Sequence, residues 1–578
     1  MANNKNYKGS LRLDWINKDR SLYYEIDEKE GKGVRPVWVP KNDIRVAEPR
    51  ILKFVKSYGD STSENMLIKG DNLLVLRSLV EMFKGRPEKD KVKCIYIDPP
   101  FNTGNAFKYY DDNLEHSEWL TMMRDRLFLL RKLLRSDGAI FVHINSEELH
   151  YLRLLMDEVF GRKNFLQVVT IESATTASYR AINLCPVNVA EYLLIYGKEK
   201  TRFSGNVVYV KDHYSDDYGY FIENFEKEND KWKIISLDEI IHKQNNFKDW
   251  REARNKWGVN WKEIRTQLKA EFAIKNADRV VSLNTLQKPS EAIQAVIEKS
   301  KIKRNKVFKI DRKENRAIFV YNGRTLAFYK SKVRHIGGQD TPSKILTNIW
   351  DDISYLGIGP EGDVTFLNGK KPEALIKRVI ELSTNSGDIV FDSFAGSGTT
   401  SAVAHKMGRK WITVEIGRQA EELIISRLQK VIAGKDQSGI SEEVNWKGGG
   451  GFKYYQLGES VIQEKDMNWV LKAEEMAEAI FLHFQYKPVK AEWLEKENMY
   501  LGKHQFARYH FALSFASREI KVLTEDLYDK IVCGLDKEKF KHLTIFTNVA
   551  VAVPPESLDD RVLVKKIPAA ILREYNLL

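Results

Sequence analysis

Cys94-Ile95-Tyr96-Ile97-Asp98-Pro99-Pro100-Phe101 is the stretch that decides the fold of this chain. The apolar run Cys94 to Ile97 has the length of a buried strand, and a residue that precedes proline is steered into extended φ/ψ. Asp98 is therefore expected to end a strand, with its carboxylate at the carboxyl edge of a sheet, where α/β folds place ligands. Pro99 and Pro100 fix the path of the next carbonyls and bring no N–H to compete with a bound donor. The plain alternative is a strand-ending turn with a solvated Asp and a Phe in the core.

Working outward, Met66-Leu67-Ile68 reads as a strand, Gly70-Asp71-Asn72 as a turn, and Leu73 onward as a helix carrying Leu76, Leu79 and Val80. Beyond Asp98 lies a polar loop, Asn102 to Asn105. A helix follows whose Leu120, Met123, Leu127, Leu130 and Leu134 alternate spacings of three and four, a core-facing stripe. Ser136-Asp137-Gly138 is expected to stop it, Ala139 to Ile144 to form a buried strand with His143 as a satisfied core or edge histidine, and a capped helix to run from about Ser146 to Gly161.

Glu191 to Tyr196 reads as another strand. The strand–helix rhythm then lapses near Lys200 and returns after Gly337-Gly338 and Pro342. A helix from about Pro372 to Ser383, the strand Ile389 to Phe391, a glycine loop, a helix to about Met407, and the strand Trp411 to Val414 follow. Gly448 to Gly451 lead into a last strand at Phe452 to Tyr455. Strands alternating with helices predict an α/β fold around a mixed, mostly parallel, seven-stranded sheet. The expected layout is an irregular N-terminal arm over 1–60, one half of the core over 61–200, an insertion over 201–340, the other half over 341–445, and a C-terminal α/β domain over 446–578.

Lys plus Arg outnumber Asp plus Glu by 92 to 80, a formal charge of +12, which favours a polyanionic partner over an acidic small molecule. Cys94, Cys185 and Cys533 are widely spaced and never form Cys-x-x-Cys, which argues against a disulfide framework and a zinc site; no metal is expected. No apolar targeting segment or membrane-spanning stretch is read, so the expectation is a soluble, cytoplasmic protein.

The second informative stretch is Phe391-Asp392-Ser393-Phe394-Ala395-Gly396-Ser397-Gly398-Thr399-Thr400: a strand end, a tight glycine turn and a helix start. Small residues there let the backbone approach a nucleotide closely. Glu415 ends the next strand, where a carboxylate can accept two ribose hydroxyl protons. A dinucleotide site would want a third glycine where this chain has Ser401, so the pattern suits a nucleoside cofactor without a pyrophosphate.

The pair Asp-Pro-Pro-Phe and Phe-Ala-Gly-Ser-Gly-Thr-Thr resembles the catalytic and cofactor motifs of S-adenosylmethionine-dependent DNA amino-methyltransferases, in the circularly permuted (β) order with the catalytic motif first. The run Asp98-Pro-Pro-Phe-Asn-Thr-Gly-Asn-Ala-Phe-Lys-Tyr-Tyr-Asp-Asp112, the Gly70-Asp71-Asn72-Leu73 box, the strand from Glu191 and Gly449-Gly-Gly-Phe-Lys-Tyr-Tyr455 are similar to modification (Mod) subunits of type III restriction-modification systems. The resemblance covers roughly residues 60–200 and 340–458. It implies a Rossmann-like methyltransferase domain with an inserted target-recognition domain.

It further implies that Asp98 accepts a hydrogen bond from the amine of a flipped adenine, that Pro99 or Pro100 offers a carbonyl, and that Phe101 stacks on the base. By the same resemblance, Asp392 and Phe394, Ala395, Gly396, Ser397 and Gly398 meet the methionine end of S-adenosylmethionine. Glu415 meets its ribose, Asp71 and Asn72 lie beside its adenine, and Phe366, Lys371 and Pro372 lie near its carboxylate arm. The implied partners are double-stranded DNA, a second copy of the chain, and a helicase–nuclease restriction subunit. Asp in the first motif position favours adenine N6 over cytosine N4. Cytosine-C5 chemistry needs a Pro-Cys nucleophile, whereas Cys185 precedes its proline. A solitary methyltransferase and a non-catalytic DNA-binding module remain the alternatives. The best candidate for target recognition is the insertion, where Trp232, Trp250, Trp257 and Trp261 interleave with Lys243, Lys248, Arg251, Arg254, Lys256 and Arg265; an ordinary domain with core tryptophans fits those residues equally well.

Overall fold

The computed structural model describes residues 12–27, 33–102, 115–174, 186–312, 316–364, 366, 369–463, 466–467, 473–484, 486–489, 499–504, 510–515, 522–534, 542–547, 550–567, 569 and 571. Residues 103–112 of the extended motif and Cys185 lie outside them. The chain divides into two compact units, one made of Met1–Asn206 with Asn348–Leu578 and the other of Val207–Thr347.

The first unit begins with β1 (Arg20–Asp27), β2 (Gly33–Pro40), α1 (Ile44–Ala47) and β3 (Leu52–Gly59), then β4 (Met66–Lys69), α2 (Asn72–Phe83) and β5 (Val92–Ile97). It continues through α3 (His116–Leu133), β6 (Leu134–Ile144), α4 (Leu149–Met156), β7 (Phe165–Glu172) and β8 (Ala190–Gly197).

The second unit holds β9 (Tyr209–Lys211), β10 (Tyr220–Glu223), β11 (Lys233–Ser236), α5 (Leu237–Gln244), α6 (Trp250–Trp257), α7 (Trp261–Lys275), β12 (Val280–Asn284) and α8 (Glu291–Ile302). β13 (Val307–Ile310), β14 (Ile318–Tyr321), β15 (Arg324–Phe328), β16 (Val333–Ile336) and β17 (Gln339–Ile345) complete it. Its antiparallel sheet, ordered β11-β10-β12-β15-β14-β13, closes over Ile222, Trp232, Val281, Val307 and Leu326. Trp232 is core: it stacks on Phe225 at 5.0 Å and packs against Phe319 at 5.0 Å. Trp250 packs on His242 at 4.4 Å and Trp257 on Phe247 at 4.8 Å, so these rings hold α5 and α6 together.

Back in the first unit come β18 (Ile349–Trp350), α9 (Glu373–Ser383), β19 (Ile389–Asp392), α10 (Thr399–Lys406), β20 (Lys410–Glu415), α11 (Ile425–Ile432) and β21 (Gly451–Leu457). The main sheet runs β18-β7-β8-β6-β5-β19-β20-β4-β21-β3. It has ten strands where seven were expected. The seven read from the sequence are contiguous, β8 to β21 in that order; the additions are β18 and β7 at one edge and β3 at the other. Six of its nine pairings are parallel and three antiparallel, so the sheet is mixed and mostly parallel.

Where an irregular arm was expected over 1–60, the described residues form strands over Arg20–Asp27, Gly33–Pro40 and Leu52–Gly59. β1 and β2 form a hairpin that buries Leu22, Tyr23 and Val39, and β3 pairs antiparallel with β21 as an edge strand. Prolines in β2 and the outward Phe54 and Val55 of β3 hide the strand pattern, because edge strands tolerate both. α3 ends at Leu133, and Leu134 to Gly138 already belong to β6, whose start pairs Leu134 with Val92. α4 begins at Leu149, later than Ser146, and passes into a wider turn that Gly161 ends at φ 86°. At the C-terminus, strands Tyr486–Val489, Met499–His504, His510–Phe515, His542–Thr547 and Val562–Lys566 form a five-stranded sheet. Among the described residues no helix is long and apolar enough to cross a membrane.

β5 is buried along its whole length, as a central parallel strand must be. Ile95, fully buried between β6 and β19, is a sensitive probe of this packing. Ile95→Ala is expected to cost about 2–5 kcal/mol, read as an earlier denaturation midpoint by near-UV circular dichroism.

Candidate functional site

Four neighbouring parallel strands, β5, β19, β20 and β4, point their carboxyl ends the same way. Asp98, Asp392, Glu415 and Asp71 stand at those ends, and β8 adds Glu191 at the same edge because it runs antiparallel to β6. Together they open onto a cavity of about 420 Å³. Every residue expected in the site lines it except Gly398 and Pro372, which shape its walls from behind.

Around Asp98, the Pro100 carbonyl accepts a hydrogen bond from Trp119 Nε1 at 2.8 Å, which fixes the turn. Asp98 Oδ1 is buried, and Lys371 Nζ lies 3.4 Å from it, a long contact for an ion pair. Lys371 Nζ also lies 3.4 Å from Glu191 Oε2 and 4.4 Å from the centre of the Phe101 ring. The lysine expected near the cofactor's carboxylate arm thus has its ammonium at Asp98.

Glu191 is held in turn by His143 Nε2 at 2.7 Å and by the Tyr355 hydroxyl, which donates at 3.5 Å. His143 Nδ1 lies 2.9 Å from Tyr96 Oη, which makes His143 the satisfied buried histidine expected from its strand. Burial raises the Asp98 carboxyl above the usual range, with Lys371 and His143 pulling the other way. For Glu191 burial also pushes upward, but Lys371 and His143 outweigh it and hold the carboxyl well below the usual range. One ammonium serves two carboxylates, and Asp98 is the less compensated.

In the cofactor half, Gly396 and Gly398 adopt φ of 52° and 73°, conformations that favour glycine. A Cβ on Gly398 would come within 2.9 Å of Ile424 Cγ2, so the residue also lets α10 start close against its neighbour. Glu415 is gripped by backbone: the Gly396 N–H donates to Oε2 at 2.8 Å and the Gly417 N–H to Oε1 at 2.9 Å, joined by Gln419 Nε2 at 2.8 Å. Burial still raises its carboxyl, against the pull of those N–H groups. Asp392 is pushed up to about 7, first by burial and further by Asp98 and Glu415, although Thr400 and the Phe394 N–H favour its charged form. Phe366 lies over Gly396, 3.8 Å from where a Cβ would be.

Asp71 has a different character. Its Oδ1 caps α2 by accepting from the Leu73 and Leu74 N–H groups at 2.8 and 3.2 Å, and its Oδ2 accepts from the Tyr24 N–H and Arg126 Nη2, each at 3.0 Å. Asn72 donates to the Ser393 carbonyl at 2.8 Å and accepts from Arg126 Nε. Both residues line the cavity while tying α2 and α3 to the cofactor loop. Pro372 opens α9, its carbonyl accepting from the Leu375 N–H at 3.1 Å.

Sequence reading missed Glu191, Tyr355, Arg126 and Arg427. Arg427 lies fully buried on α11, donating to the Ser397 carbonyl at 3.2 Å, to Thr399 Oγ1 at 2.9 Å and to Glu373 Oε1 at 2.7 Å. Lys406 completes the cluster, 2.9 Å from Glu373 and 2.8 Å from Asp436. A single arginine in an amphipathic helix gives no sign that it anchors a loop elsewhere. Arg427→Met strands the Glu373 carboxylate with one cation; the expected loss is about 3–5 kcal/mol, read as a lower midpoint in chemical denaturation.

Residues 92–426 match the DNA methylase family that acts at N6 and N4 amines. The chain is 36% identical over 431 residues to the Haemophilus influenzae protein named "Probable type III restriction-modification enzyme HindVI Mod subunit", covering 70% of this chain and 55% of that one. It is 26% identical over 430 residues to the Escherichia coli "Type III restriction-modification enzyme EcoP15I Mod subunit", covering 63% and 60%. The chain thus spans little more than half the length of these curated relatives. A distant likeness reaches the S-adenosylmethionine complex of M1.HpyAVI, at 12% identity and a TM-score of 0.29, covering 63% of this chain and 98% of that one. The family match takes in more than half of the chain, from β5 through Asp98 to Glu415 and α11, and the protein belongs to the DNA methylase family.

Proposed function

We propose that this protein is a site-specific DNA adenine-N6 methyltransferase, the modification subunit of a type III restriction-modification system, with S-adenosylmethionine as its methyl donor. The observation that carries the reading is the buried Asp98 carboxylate, met by Lys371 Nζ at a long 3.4 Å and facing the same cavity as Asp392, Gly396 and Glu415. A buried carboxylate so incompletely compensated is stabilised by a ligand that donates a hydrogen bond to it. The names of the two relatives support the assignment to a modification subunit.

When bound, S-adenosylmethionine supplies a methyl group on a positively charged sulfur, open to attack by a nitrogen lone pair. The residues suit it: Glu415 is held rigid for a ribose diol, the glycine loop permits close backbone approach, and Asp392 offers a carboxylate to the cationic end. Asp98 accepts one N–H of the target amine and the Pro99 carbonyl another, which draws the lone pair out of the ring. Phe101 supplies a stacking face for a base turned out of the duplex. As positive charge grows on the amine, the fixed Asp98 carboxylate stabilises it in a setting that excludes water. Asp98 favours adenine over cytosine N4. Double-stranded DNA, a second copy of the chain and a helicase–nuclease subunit are the partners this reading expects, in the cytoplasm.

Nucleoside mass spectrometry of plasmid DNA treated with protein and S-adenosylmethionine is expected to find N6-methyladenine. N4-methylcytosine would reject the adenine assignment, and no modified base would reject the activity. Asp98→Ala is expected to slow single-turnover methylation by about 10²–10³-fold with little change in cofactor affinity. Cofactor binding should also depend on pH. Below about 7 Asp392 is protonated, and a cationic ligand meets a neutral acid; above it the carboxylate is charged. Calorimetric affinity is therefore expected to rise with pH up to about 7 and then level off, with the rise abolished in Asp392→Asn.

A further inference from the structure

Lys371 engages the same two groups that the reading above assigns to the target base. Its ammonium lies 3.4 Å from Asp98 Oδ1, where the target amine would donate, and 4.4 Å from the centre of the Phe101 ring, on which the base would stack. The side chain is buried, so it is held there by design of the pocket and not by chance on a surface. At the same 3.4 Å lies Glu191 Oε2, which His143 and Tyr355 hold from the far side. We propose that Lys371 is a positioning residue that keeps the place of the target base, shared between Asp98 and Glu191 until a base enters and then carried by Glu191 alone.

The exchange is balanced. Asp98 trades an ammonium for an amine N–H, Phe101 trades a cation for a ring, and Lys371 keeps one of its two carboxylates, so the Asp98 charge stays hydrogen-bonded and faces the nitrogen on which positive charge grows. Without a base, the ammonium prevents two carboxylates from facing each other in a low-dielectric pocket. The arrangement also discriminates. A base that cannot donate to Asp98 or stack on Phe101 offers nothing in exchange and leaves the lysine where it is.

This inference rests on the assignment of Asp98 and Phe101 to the target base, and the test separates the two. The groups facing Asp98 are Lys371, Glu191, His143, Tyr96, Tyr355 and Asp392. Single-turnover methylation is measured against pH for the full chain and for Lys371→Met, Lys371→Arg and Glu191→Gln, with 2-aminopurine fluorescence at the target position reporting base entry. Lys371→Met removes the ammonium shared by Asp98 and Glu191, so the acid limb is expected to move up by about one pH unit or more, with a rate near pH 7 down about tenfold and recovering at higher pH. Lys371→Arg restores the wild-type limb. Glu191→Gln moves the limb the other way, to lower pH, and weakens the 2-aminopurine signal, because the lysine has nowhere else to go. Limbs that stay put, or that move together in Lys371→Met and Glu191→Gln, overturn the inference while the wild type still methylates. A wild type that makes no methylated base overturns the assignment beneath it.

Discussion

The parallel pairing of β5 with β19 is the constraint on which the rest depends. Cys94 sits opposite Val390 and Ile95 opposite Phe391, so two strands far apart in sequence end side by side. That register sets Asp98 beside Asp392 at one sheet edge, and β20 and β4 extend the row with Glu415 and Asp71. A shift of one residue would turn the buried side chains of β5 to the opposite face and move Asp98 off the edge. Full burial of β5 makes such a shift expensive, so the core enforces the geometry of the site.

The buried carboxylates divide by how they are compensated. Asp71 meets Arg126, and Glu373 meets both Lys406 and Arg427, in pairs whose oxygens are filled by hydrogen bonds. These carboxylates hold loops and helices together. Asp98, Asp392 and Glu415 line the cavity with carboxyls raised by burial, and among the described residues none pairs with an arginine. Raised carboxyls in a cleft are free energy held in reserve for a cationic or hydrogen-donating ligand, whereas closed pairs have already released theirs. The division does not follow the cavity wall, since Asp71 and Glu191 line it too and are closed by cations.

Much of this was legible in the sequence, for physical reasons that can be named. β5 announces itself because a central strand is apolar throughout, and Asp98 because proline dictates the backbone before it. Gly396 and Gly398 are readable because only glycine takes their φ values at low cost. The edge strands were not readable: β3 exposes Phe54 and Val55, and β18 is two residues long. Nor was the second set of charges. Glu191 is one acid in a strand and Arg427 one base in a helix, and their partners are set by long-range packing that no local pattern encodes.

Lys371 shows where local reading misleads. Beside Pro372 at the start of α9 it looks like a solvated helix-start lysine or a contact for an anionic ligand. Burial excludes the first, and the pair of carboxylates at 3.4 Å answers the second, because an ammonium so placed is already neutralised. Buried ion pairs are weak contributors to stability, since desolvation consumes most of the attraction. Replacing Lys371 alone would leave Asp98 and Glu191 buried without the cation they share. In the reaction proposed above, the lysine also bears on the charge of Asp98, which has to be ionised beside Glu191 and Asp392 for the carboxylate to stabilise positive charge on an incoming amine.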